Sequence, residues 1–132
     1  MATRLSPTTS RDTEFFWHGL REHKLLIQRC AACAALRHPP RPMCPTCNSL
    51  DWDTIEASGR GAVYSYVIPH HPQFPFLEYP YIVALVELTE GVRLVSNLRE
   101  VAPQNVEVGM NVEVFYESFD NDVVLHQFRP AR

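Results

Sequence analysis

The stretch that decides the fold is residues 30–47, which read CAACAALRHPPRPMCPTC. It contains two Cys-x-x-Cys pairs, Cys30 with Cys33 and Cys44 with Cys47, and the sequence has no further cysteine. A spacing of two residues lets one tight turn direct both sulfurs at the same ion. Two such turns complete a tetrahedral four-thiolate site, so the pattern predicts a bound structural zinc.

Two disulfides in a secreted domain are the alternative interpretation of four cysteines. Disulfides persist mainly in oxidising compartments, and the N-terminal residues contain no apolar signal segment, which favours the metal. Residues 30–50 are dense in proline and poor in apolar side chains, so core burial cannot order them. A rubredoxin-like zinc ribbon explains this composition, because a structural zinc supplies on the order of 10–16 kcal/mol of folding free energy.

Length, charge and hydropathy exclude several classes of function. The 132 residues form one domain by length, or a small module attached to one. The net charge of −3 includes no block of like charges, whereas a nucleic-acid binder usually shows a basic stripe. The sequence contains no run of eighteen apolar residues, the length that a membrane-spanning helix needs. We therefore expect a cytoplasmic protein.

The N-terminal part is predicted to be a flexible tail at 1–13, followed by a helix and a lead-in strand at 14–29. Ser10, Asp12 and Thr13 are of the residue types that cap helices, and Glu14 is then expected in a first helical turn, where a carboxylate suits the helix dipole. The helix is expected over 14–23. It carries three successive aromatic residues, which span more than one face of a helix. These residues are Phe15, Phe16 and Trp17. They predict either a helix that binds a partner protein or, with equal weight, a helix that packs on its own domain.

The rest of the chain is predicted to be a zinc ribbon at 30–57 and a β-rich domain at 58–132. Five short apolar runs are expected to form strands at 62–68, 81–88, 92–97, 112–116 and 123–128. Thr89-Glu90-Gly91 is typical of a hairpin turn with glycine in the left-handed conformation. Five short strands with glycine turns favour a small closed barrel of the OB-fold type. The fold class is therefore mainly β, with an N-terminal helix, a four-cysteine zinc ribbon and a C-terminal five-stranded OB-fold barrel.

Three loop segments are further candidates for function. Arg37, His38 and Arg41 lie between the two cysteine pairs and either contact an anionic group, such as a phosphate of coenzyme A, or are solvated loop charges. The aromatic loop 74–81 either lines a ligand groove or docking surface, or folds back over an open barrel end. The adjacent His70 and His71 point in opposite directions on an extended chain, so we assign them no shared metal.

The sequence shows no catalytic arrangement of residues. It has no phosphate-binding glycine loop and no Gly-x-Ser-x-Gly motif, and the metal site uses every cysteine. A catalytic zinc needs an open coordination position, which four thiolates do not leave. We therefore predict that the chain is not an enzyme.

The order of these features resembles a known family, the zinc-ribbon/OB-fold proteins associated with acyl-CoA, long catalogued as a domain of unknown function. The resemblance covers about residues 14–130. It rests on a run of matching segments: Phe16-Trp17, Leu26–Cys30, the four cysteines, Pro39–Pro42, Ser58–Ser65, Glu90–Leu94, Gly109–Val112 and Phe128–Pro130.

This resemblance implies a non-catalytic accessory subunit in a hetero-oligomer. The partner would be a thiolase-like or lipid-transfer-protein-like aldolase, or a MaoC-like hydratase, with acyl-CoA at or near the interface. It also implies zinc ligation by Cys30, Cys33, Cys44 and Cys47, and partner binding through the helix that carries Phe15, Phe16 and Trp17. Among the chemistries of such partners, we favour steroid side-chain retro-aldol cleavage over thiolysis.

Two alternatives belong to other classes of function. A single-stranded nucleic-acid binder would use the barrel face, with Tyr64, Tyr66 and Arg93 as stacking and phosphate contacts. A stand-alone acyl-CoA-binding protein would place Arg37 and Arg41 near the phosphates. The charge balance argues against the first alternative.

Overall fold

The computed structural model describes residues 4–132 and contains one α-helix and two β-sheets. Two 3-10 turns interrupt the chain at Pro103–Asn105 and Asp120–Asp122. The helix is α1 (Glu14–Arg21), and the strands are β1 (Leu26–Cys30), β2 (Leu36–Arg37), β3 (Trp52–Glu56), β4 (Arg60–Val67), β5 (Val83–Leu88), β6 (Arg93–Asn97), β7 (Asn111–Phe119) and β8 (Val123–Pro130).

The larger sheet closes into the predicted five-stranded OB-fold barrel. Its strand order is β6-β5-β4-β7-β8, and a parallel bridge between Leu98 and Phe128 joins the two end strands. The Arg99 amide donates to the Phe128 carbonyl at 2.7 Å, and the Ser96 hydroxyl donates to the His126 carbonyl at 2.8 Å. These contacts join β6 to β8 and confirm the predicted architecture.

Alternating side chains of the barrel strands fill its interior. Along β5 every second residue is buried, and the same holds for Leu94, Ser96 and Leu98 on and after β6. This period of two places the intervening residues on the outer face. Phe128 on β8 is fully buried and is the largest such side chain, so it lies at the centre of the core.

The smaller sheet forms the base of the ribbon. Its order is β2-β1-β3, with both pairs antiparallel, and five residues of β1 pair with five residues of β3. Arg29 and Asp53 lie opposite each other in this register and form a two-pronged ion pair of 2.8 and 2.9 Å. The cysteine pairs extend from this sheet, since Cys30 is the last residue of β1.

Helix α1 joins the ribbon to the barrel through Phe16. This ring is 4% exposed and packs edge-on to His126 of β8 at 5.4 Å and tilted against His38 of the ribbon at 5.2 Å. Because a helix of two turns is marginal alone, these tertiary contacts hold it. The helix ends two residues before the predicted end, since His23 adopts a left-handed conformation with φ 58°.

The flexible tail at 1–13 stays a prediction. Residues 4–13 contain no helix or strand, but Arg4 donates to Asn97 at 3.2 Å and its guanidinium lies 5.3 Å from the centre of the Phe119 ring. The first three residues of the predicted tail lie outside the described residues. Among residues 4–132, no helix has the length and apolar character needed to cross a membrane.

Candidate metal centre and exposed surfaces

The two cysteine pairs are built by the same backbone turn, used twice. The Ala34 amide donates to the Cys30 carbonyl at 2.9 Å, and the Asn48 amide donates to the Cys44 carbonyl at 2.9 Å. Ala34 and Asn48, each directly after the second cysteine of its pair, adopt left-handed conformations with φ 67° and 63°. The repeated turn directs two sulfurs from each side towards one point.

The four sulfurs fit a zinc ion. All four Sγ atoms lie within 4.8 Å of one another, with 3.5 Å between Cys30 and Cys47 and 3.6 Å between Cys33 and Cys44. A tetrahedron with Zn–S bonds of about 2.3 Å has sulfurs about 3.8 Å apart. The sulfurs are unbonded to one another, so the geometry disfavours the disulfide alternative.

Electrostatics around the sulfurs favour a cation at their centre. The Cys47 amide is the main cause that lowers the pKa of Cys44 to about 6, and the Cys33 amide lowers the pKa of Cys30. The Ser49 amide also lowers the pKa of Cys47, but the neighbouring sulfurs outweigh it and raise that pKa to about 12. Four thiolates this close repel one another, and a divalent cation removes that repulsion.

Replacing Ala34 with glycine is expected to stabilise the protein by about 1 kcal/mol, because alanine is strained in the left-handed conformation and glycine is not. Urea denaturation of the zinc-loaded protein measures the change. Ala32→Gly is the matched control, since Ala32 is exposed in the same turn and lacks a positive φ. Equal stabilities for the two variants would contradict the prediction.

The arginine predicted to contact an anion is buried, which corrects the prediction for Arg37. It is 3% exposed, and its Nε and Nη2 atoms donate to the Arg41 carbonyl at 3.0 and 2.9 Å. The Arg41 amide donates in turn to the Gln28 side chain at 2.9 Å. Arg37 therefore shapes the loop between the cysteine pairs, while the Arg41 side chain stays exposed.

The third member of that predicted group, His38, is largely buried beside Phe16, and its Nδ1 atom has no hydrogen-bond partner. Burial lowers the pKa of His38 to about 4, and nearby His126 contributes to the shift. The folded pKa of His38 lies below the unfolded value, so folding favours the neutral imidazole. The contribution of neutral His38 to the free energy of unfolding is complete above pH 6.5, the unfolded pKa, and is lost as pH falls towards 4.

Because of His38, we expect the free energy of unfolding to fall by about 2 kcal/mol from pH 7 to pH 5. Urea denaturation at both pH values measures this loss in the wild type and in His38→Gln, which should show a smaller dependence on pH. His70→Gln, at an exposed histidine, should behave as the wild type. The same pH dependence in all three proteins would contradict the role of His38.

The three aromatic residues of α1 divide between core and surface. Phe16 is buried, so the prediction that it binds a partner is wrong. Phe15 and Trp17 are partly exposed, and the Phe15 ring lies 5.0 Å from the ring of Trp52 on β3. The structure thus brings two predicted partner-binding rings, Phe15 and Trp17, close to Trp52, for which no surface role was predicted.

Several apolar side chains share the outer face of β4, β5 and β6. Leu85 pairs with Val95, and Val67 pairs with Val83, two residues before Leu85, so all of them lie on one face, with Ser65 opposite Leu85. Tyr64 joins them at an irregularity in β4, where the register shifts between Val63 and Ser65. We call Tyr64, Val67, Leu85 and Val95 the outer barrel patch. Of these residues the sequence analysis named only Tyr64, as a stacking contact in the nucleic-acid alternative.

The same tyrosine does not favour the nucleic-acid alternative. The Arg93 guanidinium lies 3.7 Å from the centre of the Tyr64 ring, and Arg93 Nε donates to the Glu87 carboxylate at 2.9 Å. One ring face is therefore covered and the arginine charge is already paired with Glu87, which makes both less suited to contact a base or a phosphate. Tyr66 is exposed.

The aromatic loop folds over one end of the barrel. Phe76, Leu77 and Tyr81 line a cavity of about 190 Å³ with Leu98 and Phe119 from the barrel strands and their ends. Lining a cavity agrees with the first interpretation of this loop and contact with the barrel agrees with the second, so both stay predictions.

The adjacent histidines His70 and His71 are exposed. Within residues 4–132, the four cysteines are the one cluster of three or more side chains suited to hold a metal.

Comparison with known families agrees with this architecture. Residues 17–53 match the family described as "ChsH2, rubredoxin-like zinc ribbon domain", and residues 54–116 match "ChsH2, C-terminal OB-fold domain". The first match, together with the cysteine geometry, confirms zinc as the predicted metal.

Two curated relatives are subunits of larger proteins. The chain is 53% identical over 98% of its length to a "Probable enoyl-CoA hydratase alpha subunit" of Thermomonospora curvata. It is 43% identical over 96% of its length to a "3-oxo-4,17-pregnadiene-20-carboxyl-CoA hydratase alpha subunit" of Mycobacterium tuberculosis. It spans only 41% and 40% of the length of these relatives.

A solved structure agrees over almost the whole chain. It is described as "Ltp2-ChsH2(DUF35) aldolase"; the matched chain is 53% identical, with a TM-score of 0.92, and the match covers 96% of this chain and 99% of that one. The two family matches and this likeness together show that the chain belongs to the ChsH2-type (DUF35) family of zinc-ribbon and OB-fold proteins.

Proposed function

We propose that the chain is a non-catalytic, zinc-binding accessory subunit that docks on a thiolase-superfamily enzyme acting on acyl-CoA. The likeness to a chain of the Ltp2-ChsH2(DUF35) aldolase supports this proposal, because it extends over both proteins almost completely. The names of the two hydratase subunits support a coenzyme A thioester as the substrate of the complex.

The zinc centre supports a structural role rather than a chemical one. With Cys30, Cys33, Cys44 and Cys47 as ligands, the tetrahedral shell is closed, and zinc offers no position for water or substrate. The metal orders the ribbon, His38 of the ribbon contacts Phe16, and Phe16 contacts the barrel. Zinc therefore holds the helix and the barrel in a fixed relation that a partner can recognise.

The observation that carries the proposal is the outer barrel patch. Val67 and Val95 are 60% and 61% exposed, and they lie beside Tyr64 and Leu85 on three neighbouring strands. Exposed apolar side chains grouped on one face in this way are typical of an interaction site in soluble proteins. The occupant that we propose is the enzyme subunit, with acyl-CoA bound at or near the interface.

For the reaction of the complex, we propose steroid side-chain retro-aldol cleavage. The matching complex is described as an aldolase, and one relative is named for a pregnadiene-carboxyl-CoA. A MaoC-like hydratase is the second candidate partner, because both curated relatives are named as hydratase alpha subunits.

The test is co-expression with a thiolase-superfamily aldolase, followed by size exclusion and an activity assay. We expect co-elution, and loss of aldolase activity when this chain is omitted. Val95→Arg should weaken the complex at least tenfold, because it places a charge in an apolar interface. Val108→Arg is the matched control: Val108 is 67% exposed and lies outside the patch, so its complex should be unchanged.

Separate elution of the wild-type proteins at micromolar concentration would contradict the accessory role. An unchanged complex with Val95→Arg would contradict the outer barrel patch alone, and docking would then use another face.

A further inference from the structure

A groove runs along the exposed side of α1, on different elements from the outer barrel patch. Its volume is about 590 Å³, within the range of about 300–1,000 Å³ that is usual for binding sites. Residues from the segment before the helix, from α1 and from β3 form it: Arg11, Phe15, Trp17, His18, Arg21 and Trp52.

The groove has an aromatic floor. Trp52 is 36% exposed, its ring centre lies 5.0 Å from that of Phe15, and Trp17 adds a third partly exposed ring. Two of these rings belong to α1 and the third belongs to the ribbon, so the zinc-ordered ribbon fixes the shape of the floor. Partly exposed aromatic rings in a concave site are the usual anchors of protein recognition.

Two unpaired arginines flank this floor. Arg11 and Arg21 are exposed, and neither guanidinium makes a hydrogen bond or an ion pair with any of residues 4–132. Arg29 and Arg93, in contrast, pair with carboxylates, Asp53 at 2.8 Å and Glu87 at 2.9 Å. Arg41 and Arg60 are exposed without such a pair among residues 4–132, so the distinguishing feature of Arg11 and Arg21 is their position beside the aromatic floor.

The charge of the groove is opposite to that of the protein. Glu14 is the one carboxylate in the lining, against the two arginines, whereas the whole chain has a net charge of −3. The groove therefore complements an occupant that carries negative charge beside an apolar surface.

The cavity at the barrel end differs in this respect. Its two arginines are already satisfied, since Arg4 donates to Asn97 at 3.2 Å and Arg99 donates to Glu117 at 2.8 Å. Among residues 4–132, this cavity therefore contains no arginine without a hydrogen-bond partner.

We propose that the α1 groove binds an acidic segment of the partner subunit, with an apolar side chain on the aromatic floor and carboxylates paired with Arg11 and Arg21. Guanidinium groups favour carboxylates because both are planar and bond in pairs. The identity of the partner rests on the proposed function, but recognition of an acidic apolar segment does not, because the isolated chain can be tested directly.

The chain offers an intrinsic probe for this test. Trp17 and Trp52 are its two tryptophans, and both line the groove. We would titrate the full chain with a ten-residue peptide that has a Leu-Phe core flanked by glutamates, and follow tryptophan fluorescence. The matched peptide has glutamine in place of each glutamate. We expect saturable binding of the acidic peptide, weakened by salt, and about tenfold weaker binding of the glutamine peptide.

Substitutions of the two arginines test whether the peptide binds in the α1 groove. Arg11→Gln combined with Arg21→Gln should reduce affinity for the acidic peptide about tenfold and remove its salt dependence. Arg60→Gln is the matched control, because Arg60 is also exposed but lies on β4. No saturable change up to millimolar peptide, equal binding of both peptides, or an unchanged double variant would overturn the proposal. A response to ADP but not to the acidic peptide would do the same and would indicate a nucleotide as the occupant.

Failure of the peptide test and failure of the accessory role are distinguishable. If the wild-type chain co-elutes with the enzyme but ignores the peptide, only the groove assignment is wrong. If the peptide binds and no enzyme co-elutes, the proposed function is wrong and the groove assignment stands.

Discussion

Replacing Cys44 with serine is expected to abolish zinc binding and unfold the ribbon. The Cys44 sulfur is buried and lies 3.6 Å from that of Cys33, so no other side chain can take its position. A structural zinc contributes on the order of 10–16 kcal/mol in small metal-ordered modules, which is more than the ribbon can lose. Zinc content and the urea midpoint, measured on the same sample, should fall together.

Thr46→Ser is the control for this variant, because Thr46 is exposed between Cys44 and Cys47 and offers no sulfur. It should keep one zinc per chain and the wild-type midpoint. A Cys44→Ser protein that retains stoichiometric zinc, or one that loses zinc without loss of stability, would show that the metal does not hold the ribbon.

Replacing Gly61 with alanine is expected to destabilise the barrel by about 3 kcal/mol or more. A Cβ atom at Gly61 would lie 2.4 Å from the Glu87 carbonyl oxygen and 3.1 Å from the Leu88 Cα atom, and both belong to the backbone of β5. A backbone cannot rotate away as a side chain can, so β4 and β5 must separate. Thermal or urea unfolding measures the loss.

Gly91→Ala is the matched control for the barrel variant. Gly91 has a φ of 96°, but a Cβ atom there would meet no atom within 4 Å. We therefore expect a cost of about 1 kcal/mol from conformation alone. Equal costs at Gly61 and Gly91 would contradict the close approach of β4 and β5.

Much of the fold could be predicted because its signals are local. The spacing of the cysteines reports the ribbon directly, and Gly91 marks the hairpin between β5 and β6, where the structure has the expected left-handed residue. The apolar run of β5 is long enough to be recognised as a strand. Such features depend on neighbouring residues, and a single sequence contains that information.

The ends of helices and strands are harder to predict from the sequence, because tertiary contacts determine them. Helix α1 ends at Arg21, because His23 adopts a left-handed conformation and the Lys24 amide donates to the Gly19 carbonyl at 2.9 Å. A glycine at the position of His23 would have indicated this end in the sequence, but the residue is a histidine. Strand β7 extends to Phe119, beyond the predicted 116, because it pairs with β8 as far as Val123. Glu117 is polar but pairs with Arg99, which sequence alone does not reveal.

The functional residues also divide into those that a local pattern predicts and those that only the structure reveals. The cysteines were identified by spacing, but Arg37 looked like a free cation and is buried against the Arg41 carbonyl. The groove joins Trp52 to Phe15, which are distant in sequence, so no local pattern predicted it. Similarly, Val95 and Val67 join one patch only through the register of β4, β5 and β6.

The most direct test of the accessory role is reconstitution of a thiolase-superfamily aldolase with this chain, followed by native mass spectrometry and acyl-CoA turnover. We predict a complex with one zinc for each copy of this chain, turnover by the complex, and none by this chain alone. Removal of zinc by a chelator should dissociate the complex. Acyl-CoA turnover by this chain alone, or a zinc-free complex of full activity, would contradict the account.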